Sequence, residues 1–346
     1  MRAPHFWWAP SPSFRATLLR PAGLLYGAIA TSRMQQPGKR ADLPVICIGN
    51  FTAGGAGKTP AALAVARILE GAGESPAFLS RGYGGSLPGP VQVRTEHTAR
   101  DVGDEPILLS GAARTIVSRN RPAGAQLAHE IGATVVIMDD GLQNPSLTKD
   151  CAIAVVDGAT GIGNGLPLPA GPLRAAMDAQ WPRTDAVLVI GEGEPGRRIA
   201  EEAERRDKRV FTARLEPPAE TARLLEGRMV LAFAGIGRPE KFFETLRSCG
   251  ALVEAAHSFP DHHRYTPADL MALRREAATR GLHAVTTEKD FARVLSAEKT
   301  KPWPDLLVLP VRLRIENEAG LRNLLLRRIN ERRLNGGATS EAPSRR

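Results

Sequence analysis

The stretch Pro44-Val45-Ile46-Cys47-Ile48-Gly49-Asn50-Phe51-Thr52-Ala53-Gly54-Gly55-Ala56-Gly57-Lys58-Thr59-Pro60 decides how this chain is read. It opens as an apolar run, turns glycine-rich, and passes into a helical pattern from Ala61. Strand, glycine loop and helix in that order is the context a phosphate-binding loop requires. Glycines let successive N–H groups face phosphate oxygens, and the helix N-terminus adds partial positive charge. The expected cradle is Thr52, Ala53, Gly54, Gly55, Ala56, Gly57, Lys58 and Thr59, with Lys58 on the β/γ-phosphates and the Thr59 hydroxyl on magnesium. One position departs from G-x-x-x-x-G-K-[ST]: Thr52 stands where the first glycine belongs.

Downstream, Val135-Val136-Ile137-Met138-Asp139-Asp140-Gly141 is an apolar strand ending in two acids, the form of a magnesium-organising strand beside such a loop. Neighbours on an extended strand point to opposite faces, so both acids cannot ligate alike unless the strand has already ended. Asp139 is the better magnesium candidate, with Asp140 and Gln143 directed toward the cleft. A strand-end acid that merely caps the next turn is the alternative.

Two further segments belong at the carboxyl ends of parallel strands, Ser80-Arg81-Gly82-Tyr83-Gly84-Gly85 and Asp101-Val102-Gly103-Asp104-Glu105-Pro106. Transfer to an alcohol needs a carboxylate to orient or accept the hydroxyl proton, and Asp104-Glu105 offers one for that and one for metal. The same pair is also an ordinary helix start. Phe259-Pro260-Asp261-His262-His263-Arg264-Tyr265 is a polar knot before a helix start at Thr266-Pro267. His262 could cap that helix, or reach across a cleft to tune Asp104; spacing does not decide.

Around these motifs the chain alternates short apolar runs (44–49, 76–79, 115–118, 134–138, 152–156, 186–190) with helical patterns at 60–70 and 123–131. That alternation predicts an α/β fold, a P-loop NTPase-like, mainly parallel sheet with helices on both faces. A charged helix at Arg197–Arg206 and a run at Arg209–Leu215 close this domain, taken as 37–216, and Pro217-Pro218 marks a boundary. A smaller second α/β domain, 217–332, is expected from strands at 229–233, 251–256, 283–286 and 306–311 and helices near 239–249, after Thr266, and at 317–332. Residues 333–346 read as a disordered tail.

The chain has 346 residues, is 42% hydrophobic, and carries 46 Lys+Arg against 37 Asp+Glu, a net of +9. That excess favours an anionic partner, whether nucleotide, nucleic acid or membrane surface. The basic residues are scattered among acids, and no helix-turn-helix, zinc or stacking signature appears, so no nucleic-acid partner is expected. Cys47, Cys151 and Cys249 lie far apart and form no C-x-x-C pair, so neither a zinc site nor a disulfide framework is indicated, and a reducing cytoplasm fits best. No stretch reaches the ~20 apolar residues needed to span a bilayer. The first 36 residues interleave Phe6, Trp7, Trp8, Phe14, Leu18, Leu19, Leu24, Leu25 and Tyr26 with Arg15, Arg20 and Arg33, without an acid. Such a segment can lie on an anionic membrane or pack back on the protein.

Taken in order, G-N-F-T-A-G-G-A-G-K-T-P, S-R-G-Y-G-G, V-G-D-E-P, M-D-D-G-L-Q, L-P-A-G-P-L-R at 168–174, A-G-I-G-R-P at 234–239, F-P-D-H-H-R-Y and T-T-E-K-D at 286–290 resemble the tetraacyldisaccharide 4′-kinases over residues 15 to 330. The resemblance implies transfer of the ATP γ-phosphate to the 4′-hydroxyl of a tetraacylated glucosamine disaccharide 1-phosphate, giving a lipid IVA-type product in lipid A synthesis. It implies ATP and Mg2+, the cytoplasmic face of a Gram-negative inner membrane, a membrane-associating opening segment and no obligate protein partner. By motif it makes Asp104 and His262 the pair acting on the hydroxyl, and gives Glu105, Asp139 and Asp140 metal and cleft positions. It puts Arg174 where anionic substrate is bound. A P-loop partitioning or positioning ATPase acting on membrane or DNA is the alternative; those proteins carry a lysine just before the Gly-Gly, where this chain has Ala53.

Overall fold

The computed structural model describes residues 4–9, 11–297 and 303–337. In chain order the helices are α1 (Phe14–Met34), α2 (Lys58–Glu70), α3 (Ala99–Val102), α4 (Asp104–Ser110), α5 (Arg121–Glu130), α6 (Met177–Gln180), α7 (Glu194–Arg205), α8 (Ala219–Leu225), α9 (Pro239–Ser248), α10 (Pro267–Arg280), α11 (Glu288–Ala297) and α12 (Glu318–Gly337). The strands are β1 (Val45–Gly49), β2 (Pro76–Ser80), β3 (Val91–Gln92), β4 (Arg114–Val117), β5 (Val135–Asp139), β6 (Cys151–Asp157), β7 (Ala186–Ile190), β8 (Arg209–Glu216), β9 (Met229–Ala234), β10 (Leu252–Ser258), β11 (His283–Thr287), β12 (Leu307–Leu309) and β13 (Arg312–Ile315).

Nine strands form one sheet in the order β13-β8-β7-β6-β1-β5-β2-β4-β3. It is parallel except at its two edges, where β13 runs against β8 and β3 against β4. Every residue of β1, β2, β5, β6 and β7 is buried, as expected when helices cover both faces of a parallel sheet. Ile46, Ile48, Ile137 and Ile153 pack under α2 and α12, while Val45, Cys47, Val136 and Met138 pack under α5 and α7. This alternation of faces along single strands follows from their two-residue period.

The second sheet, β10-β9-β11-β12, is all parallel. Phe242, Phe243 and Leu246 of α9 cover one face, and Leu270, Leu273 and Val294 of α10 and α11 the other.

Three features differ from the sequence reading. The strand expected at 306–311 is β12 of the small sheet, and an unexpected strand, β13, follows it at once and crosses back to pair with β8. A unit ending at 332 therefore does not coincide with the small sheet. Second, α12 packs on the large sheet and continues through 337, past the expected start of the tail; residues 338–346 lie outside the described residues. Its last turns are tied there by Arg328 to Asp185 at 2.7 Å, Arg332 to the Ala41 carbonyl at 2.7 Å, and Arg333 to Glu74 at 2.7 Å. Third, α11 follows β11 directly, where no helix was expected. Thr287 Oγ1 donates to Asp290 Oδ2 at 2.7 Å and accepts from the Asp290 N–H at 3.1 Å, a local bond pattern that starts a helix.

Leu325 of α12 is fully buried against the large sheet. Leu325→Ala should therefore cost about 2–5 kcal/mol, the usual range for a buried leucine. Urea unfolding measures it, and an unchanged midpoint would contradict the placement of α12.

Candidate active site

β1, β5 and β2 are neighbours in the sheet, so the phosphate loop, Asp139-Asp140 and Ser80-Arg81 leave from one edge. That edge, at the carboxyl ends of the strands, is where open α/β sheets bind ligands. The loop enters α2 through Gly57 at φ 91°, where a Cβ would stand 2.7 Å from Ile190 Cδ1. Buried Asn50 donates Nδ2 to the Thr52 carbonyl at 2.6 Å and the Gly54 carbonyl at 3.3 Å, closing the loop on itself. The L-P-A-G-P-L-R segment braces it from outside: the Ala53 N–H donates to Pro172, and Arg174 donates from N to Phe51 and from Nε to Thr52.

β5 ends at Asp139, and Asp140 turns to φ 51°. The strand alternation is thereby broken at the one peptide where both acids can serve the same side. Arg174 Nη1 donates to both Asp140 oxygens at 2.9 and 3.0 Å, and Lys58 Nζ stands 3.6 Å from Asp140 Oδ1. Burial opposes the charged form of Asp140, but Lys58 and Arg174 outweigh it and hold its pKa below the ordinary carboxylate value. Arg174, expected on anionic substrate, is thus placed on Asp140 and the loop backbone. Gln143, expected to face the cleft, donates Nε2 to the Asn50 carbonyl and to Gln180 Oε1, both at 2.7 Å.

Asp139 has the opposite electrostatics. It is buried, its Oδ1 has no hydrogen-bond partner, and burial, then the charges of Glu105 and Asp140, push its pKa up to about 7. The Thr59 hydroxyl donates to Glu105 Oε1 at 3.4 Å. Thr59, Glu105 and Asp139 therefore converge on one neighbourhood beside the loop.

Asp104 heads α4 after Gly103, whose φ of 92° and 2.5 Å clearance from the Tyr83 carbonyl exclude a side chain there. The V-G-D-E-P and S-R-G-Y-G-G segments are thereby pressed together. From the small-sheet unit, His262 at φ 57° brings its Nδ1 to 3.3 Å from Asp104 Oδ2. The contact that spacing left undecided is made. A cavity of about 430 Å3 opens beside this pair, lined also by Tyr83, Arg100, Arg264 and Arg293. The hydrogen bond to Asp104 raises the His262 pKa, while burial opposes it. For Asp104, burial raises the pKa, but the His262 hydrogen bond and the Arg293 charge prevail and hold it far below the ordinary range.

The sequence reading assigned no role to α11, yet Lys289 Nζ lies 2.7 Å from Glu105 Oε1 and Arg293 Nε 2.8 Å from Asp104 Oδ2. The Thr287-x-x-Asp290 helix start, with Lys289 inside it and Arg293 four residues on, was the available signal. Arg121 was missed likewise; it is buried and donates to the Leu79 and Asp139 carbonyls, pinning the ends of β2 and β5.

A family model described as tetraacyldisaccharide-1-P 4′-kinase matches residues 15–330. The chain belongs to this family. It is 57% identical over 314 residues to the tetraacyldisaccharide 4′-kinase of Methylobacterium sp. (strain 4-46), spanning 90% of this chain and 93% of that one. With the tetraacyldisaccharide 4′-kinase of Methylobacterium nodulans the identity is 58%, over 90% and 91% of the two chains. The crystal structure of "apo" form LpxK from Aquifex aeolicus in complex with ATP superposes with a TM-score of 0.71 at 26% identity, covering 91% of this chain and 99% of that one.

Because folding raises the His262 pKa above its ordinary 6.5, the stabilisation it brings is fully present below that pH and lost as pH rises through the folded value. The stability difference between wild type and His262→Gln should therefore be largest near pH ~6 and shrink toward pH ~8 to 9. Thermal melts across that range check the direction; a difference that grows with pH would contradict the pairing.

Proposed function

We propose that this kinase transfers the γ-phosphate of ATP to the 4′-hydroxyl of a tetraacylated glucosamine disaccharide 1-phosphate, giving a lipid IVA-type product. The observation that carries the reading is the Asp104–His262 pair, at a cavity beside a phosphate loop, in a chain of this family. Phosphoryl transfer runs through a loose transition state with charge spread over the phosphoryl oxygens, so the protein's tasks are positioning and charge stabilisation. Lys58 and the loop N–H groups, Thr52 to Thr59, take the phosphates. Asp104, kept ionised, accepts a hydrogen bond from the acceptor hydroxyl, aligns it and takes its proton late in the transfer, and His262 steadies Asp104 through Nδ1. Asp140 and Arg174 hold the phosphate-loop wall, and Gln143 fixes the loop that leads into it.

Mg2+ fits the residues present. Among the described residues no group of three or more His, Cys, Asp or Glu is arranged to hold a metal. Magnesium in such sites, however, takes only one or two carboxylates and completes its shell with phosphates and water. Thr59, Glu105 and Asp139 would hold it, and the unpartnered Asp139 Oδ1 is the atom a cation would satisfy. Bound there, it would neutralise charge on the β- and γ-phosphate oxygens.

The acceptor is a lipid, and α1 suits a peripheral place on the cytoplasmic face of the inner membrane. Its small residues Gly23 and Gly27 pack on Pro167 and Ala170. Phe14, Leu18, Leu25 and Ile29 are 83%, 72%, 65% and 53% exposed, a large apolar stripe left in solvent. Among the described residues no helix is long and apolar enough to cross a membrane. The positioning-ATPase alternative has no support in the family match or in Ala53.

Purified protein, radiolabelled ATP and detergent-solubilised disaccharide 1-phosphate should give a labelled lipid. Lys58→Ala or Asp104→Ala should lower turnover by roughly 10²- to 10³-fold, the scale of losing one transition-state stabilising group. Acceptor-independent ATP hydrolysis with no labelled lipid would refute the reading. In flotation with anionic vesicles, Leu18→Ser/Leu25→Ser/Ile29→Ser should lose most of the bound fraction; unchanged binding would remove α1 as the docking face.

A further inference from the structure

Helix α11 contributes nothing to the phosphate loop, yet two of its side chains end on the acid pair at the head of α4. Lys289 and Arg293 are four residues apart and so share a helix face. Lys289 Nζ meets Glu105 Oε1 at 2.7 Å, the same oxygen that accepts from the Thr59 hydroxyl. Arg293 meets Asp104 Oδ2 through Nε at 2.8 Å and through Nη2, and that oxygen also lies 3.3 Å from His262 Nδ1. The guanidinium is itself held: Nη1 donates to the Gly235 carbonyl at 2.7 Å and to Asp290 Oδ1 at 2.8 Å. Asp290 is fully buried and bonded to Thr287 at the helix start. The fork is thus fixed by the small-sheet unit before it reaches Asp104.

Simple adhesion between the two units is a poor account of this arrangement. Arg293 and Asp104 are 7% and 8% exposed, and burying such a pair yields little net stability over an apolar contact. Its geometric consequence is specific: with the donors gathered on Oδ2, one carboxylate orientation is selected beside His262.

We propose that Lys289 and Arg293 are positioning residues for phosphoryl transfer, two cations carried from the small-sheet unit that set Glu105 beside Thr59 and Asp104 beside His262. The acid pair then has its working geometry only while α11 is docked on α4. This rests on the kinase reading above.

The test is a double-mutant cycle in the full chain, with Arg293→Met and Asp104→Asn singly and together, read in the labelled-ATP assay. Arg293→Met should lower kcat on the order of 10²-fold, the cost of misplacing a group by an ångström, while the KM for ATP stays near wild type. In the Asp104→Asn background the same change should add little, because the two residues act as a unit. Lys289→Met should behave likewise against Glu105→Gln. A wild-type kcat in Arg293→Met, or an equal loss in both backgrounds, would overturn the proposal and leave α11 as adhesive only. Should Arg293→Met fail to fold, as judged by melting and fluorescent-nucleotide binding, Arg293→Lys decides. It keeps the charge but lacks the fork, so an intermediate kcat at an unchanged melting temperature is expected and full activity refutes. Absence of lipid phosphorylation by the wild type would instead remove the kinase reading, which separates the two failures.

Discussion

Four carboxylates, Asp104, Glu105, Asp139 and Asp140, must coexist beside Lys58 at the head of α2. Like charges in a low-dielectric pocket repel strongly, and burial by itself disfavours every ionised form. The chain meets this in two ways. Three of the acids are matched to cations: Asp140 to Lys58 and Arg174, Glu105 to Lys289, and Asp104 to Arg293 with His262. Asp139 has no such partner and is driven toward the protonated form, its pKa near 7. A divalent cation placed beside Asp139 would reverse that balance.

Much of the architecture follows from where those cations originate. Lys58 and Arg174 belong to the large-sheet unit, but Lys289, Arg293 and His262 come from the small one. Asp157, at the end of β6, repeats the pattern on the other side of the loop, taking Lys241 at 2.6 Å and Arg238 from the small-sheet unit. The A-G-I-G-R-P turn lies between these ionic contacts; a Cβ on Gly237 would stand 3.9 Å from the Gly55 nitrogen. The small-sheet unit thus meets the large one at ion pairs on both sides of the loop, and the geometry of Asp104 and Glu105 depends on that contact. The L-P-A-G-P-L-R segment plays the corresponding part for α1. With Pro167 just before it, the segment receives Gly23 and Gly27 on one side and braces Ala53 and Thr52 on the other, so the apolar stripe is linked to the phosphate loop by a short, packed path.

What the sequence revealed and what it hid have physical reasons. The strands of the large sheet are buried on both faces and read as continuous apolar runs, and the glycine loop has a spacing that little else requires. Asp139 and Asp140 were legible as a pair, but the turn at Asp140 that aims both was only a stated exception, because φ at one residue leaves no composition signal. Asp104 and His262 are 158 positions apart, and nothing local records their meeting. Lys289 and Arg293 were hidden for a different reason. No helix was expected over 288–297, so nothing put the two cations on a common face, and only the packing of α11 on α4 turns that face inward. β13 was missed because Arg312-Leu313-Arg314-Ile315 is four residues long and half charged, too short and polar to read as a strand before it pairs with β8.

The electrostatics also constrain what Asp104 can do. A carboxylate held far below its ordinary pKa by Arg293 and His262 is a weak proton acceptor, so it cannot be the strong base that an early, complete deprotonation of a sugar hydroxyl would need. A loose phosphoryl transfer makes no such demand: the nucleophile bonds late, and its proton is lost after most of the leaving-group cleavage. Under those conditions an ionised, rigidly oriented acceptor oxygen is worth more than a basic one, since alignment carries most of the gain available from the acceptor side. The same cations that weaken Asp104 as a base are those that fix its orientation. An early-deprotonation mechanism would need Arg293 to withdraw first, whereas a late one uses the site as it stands.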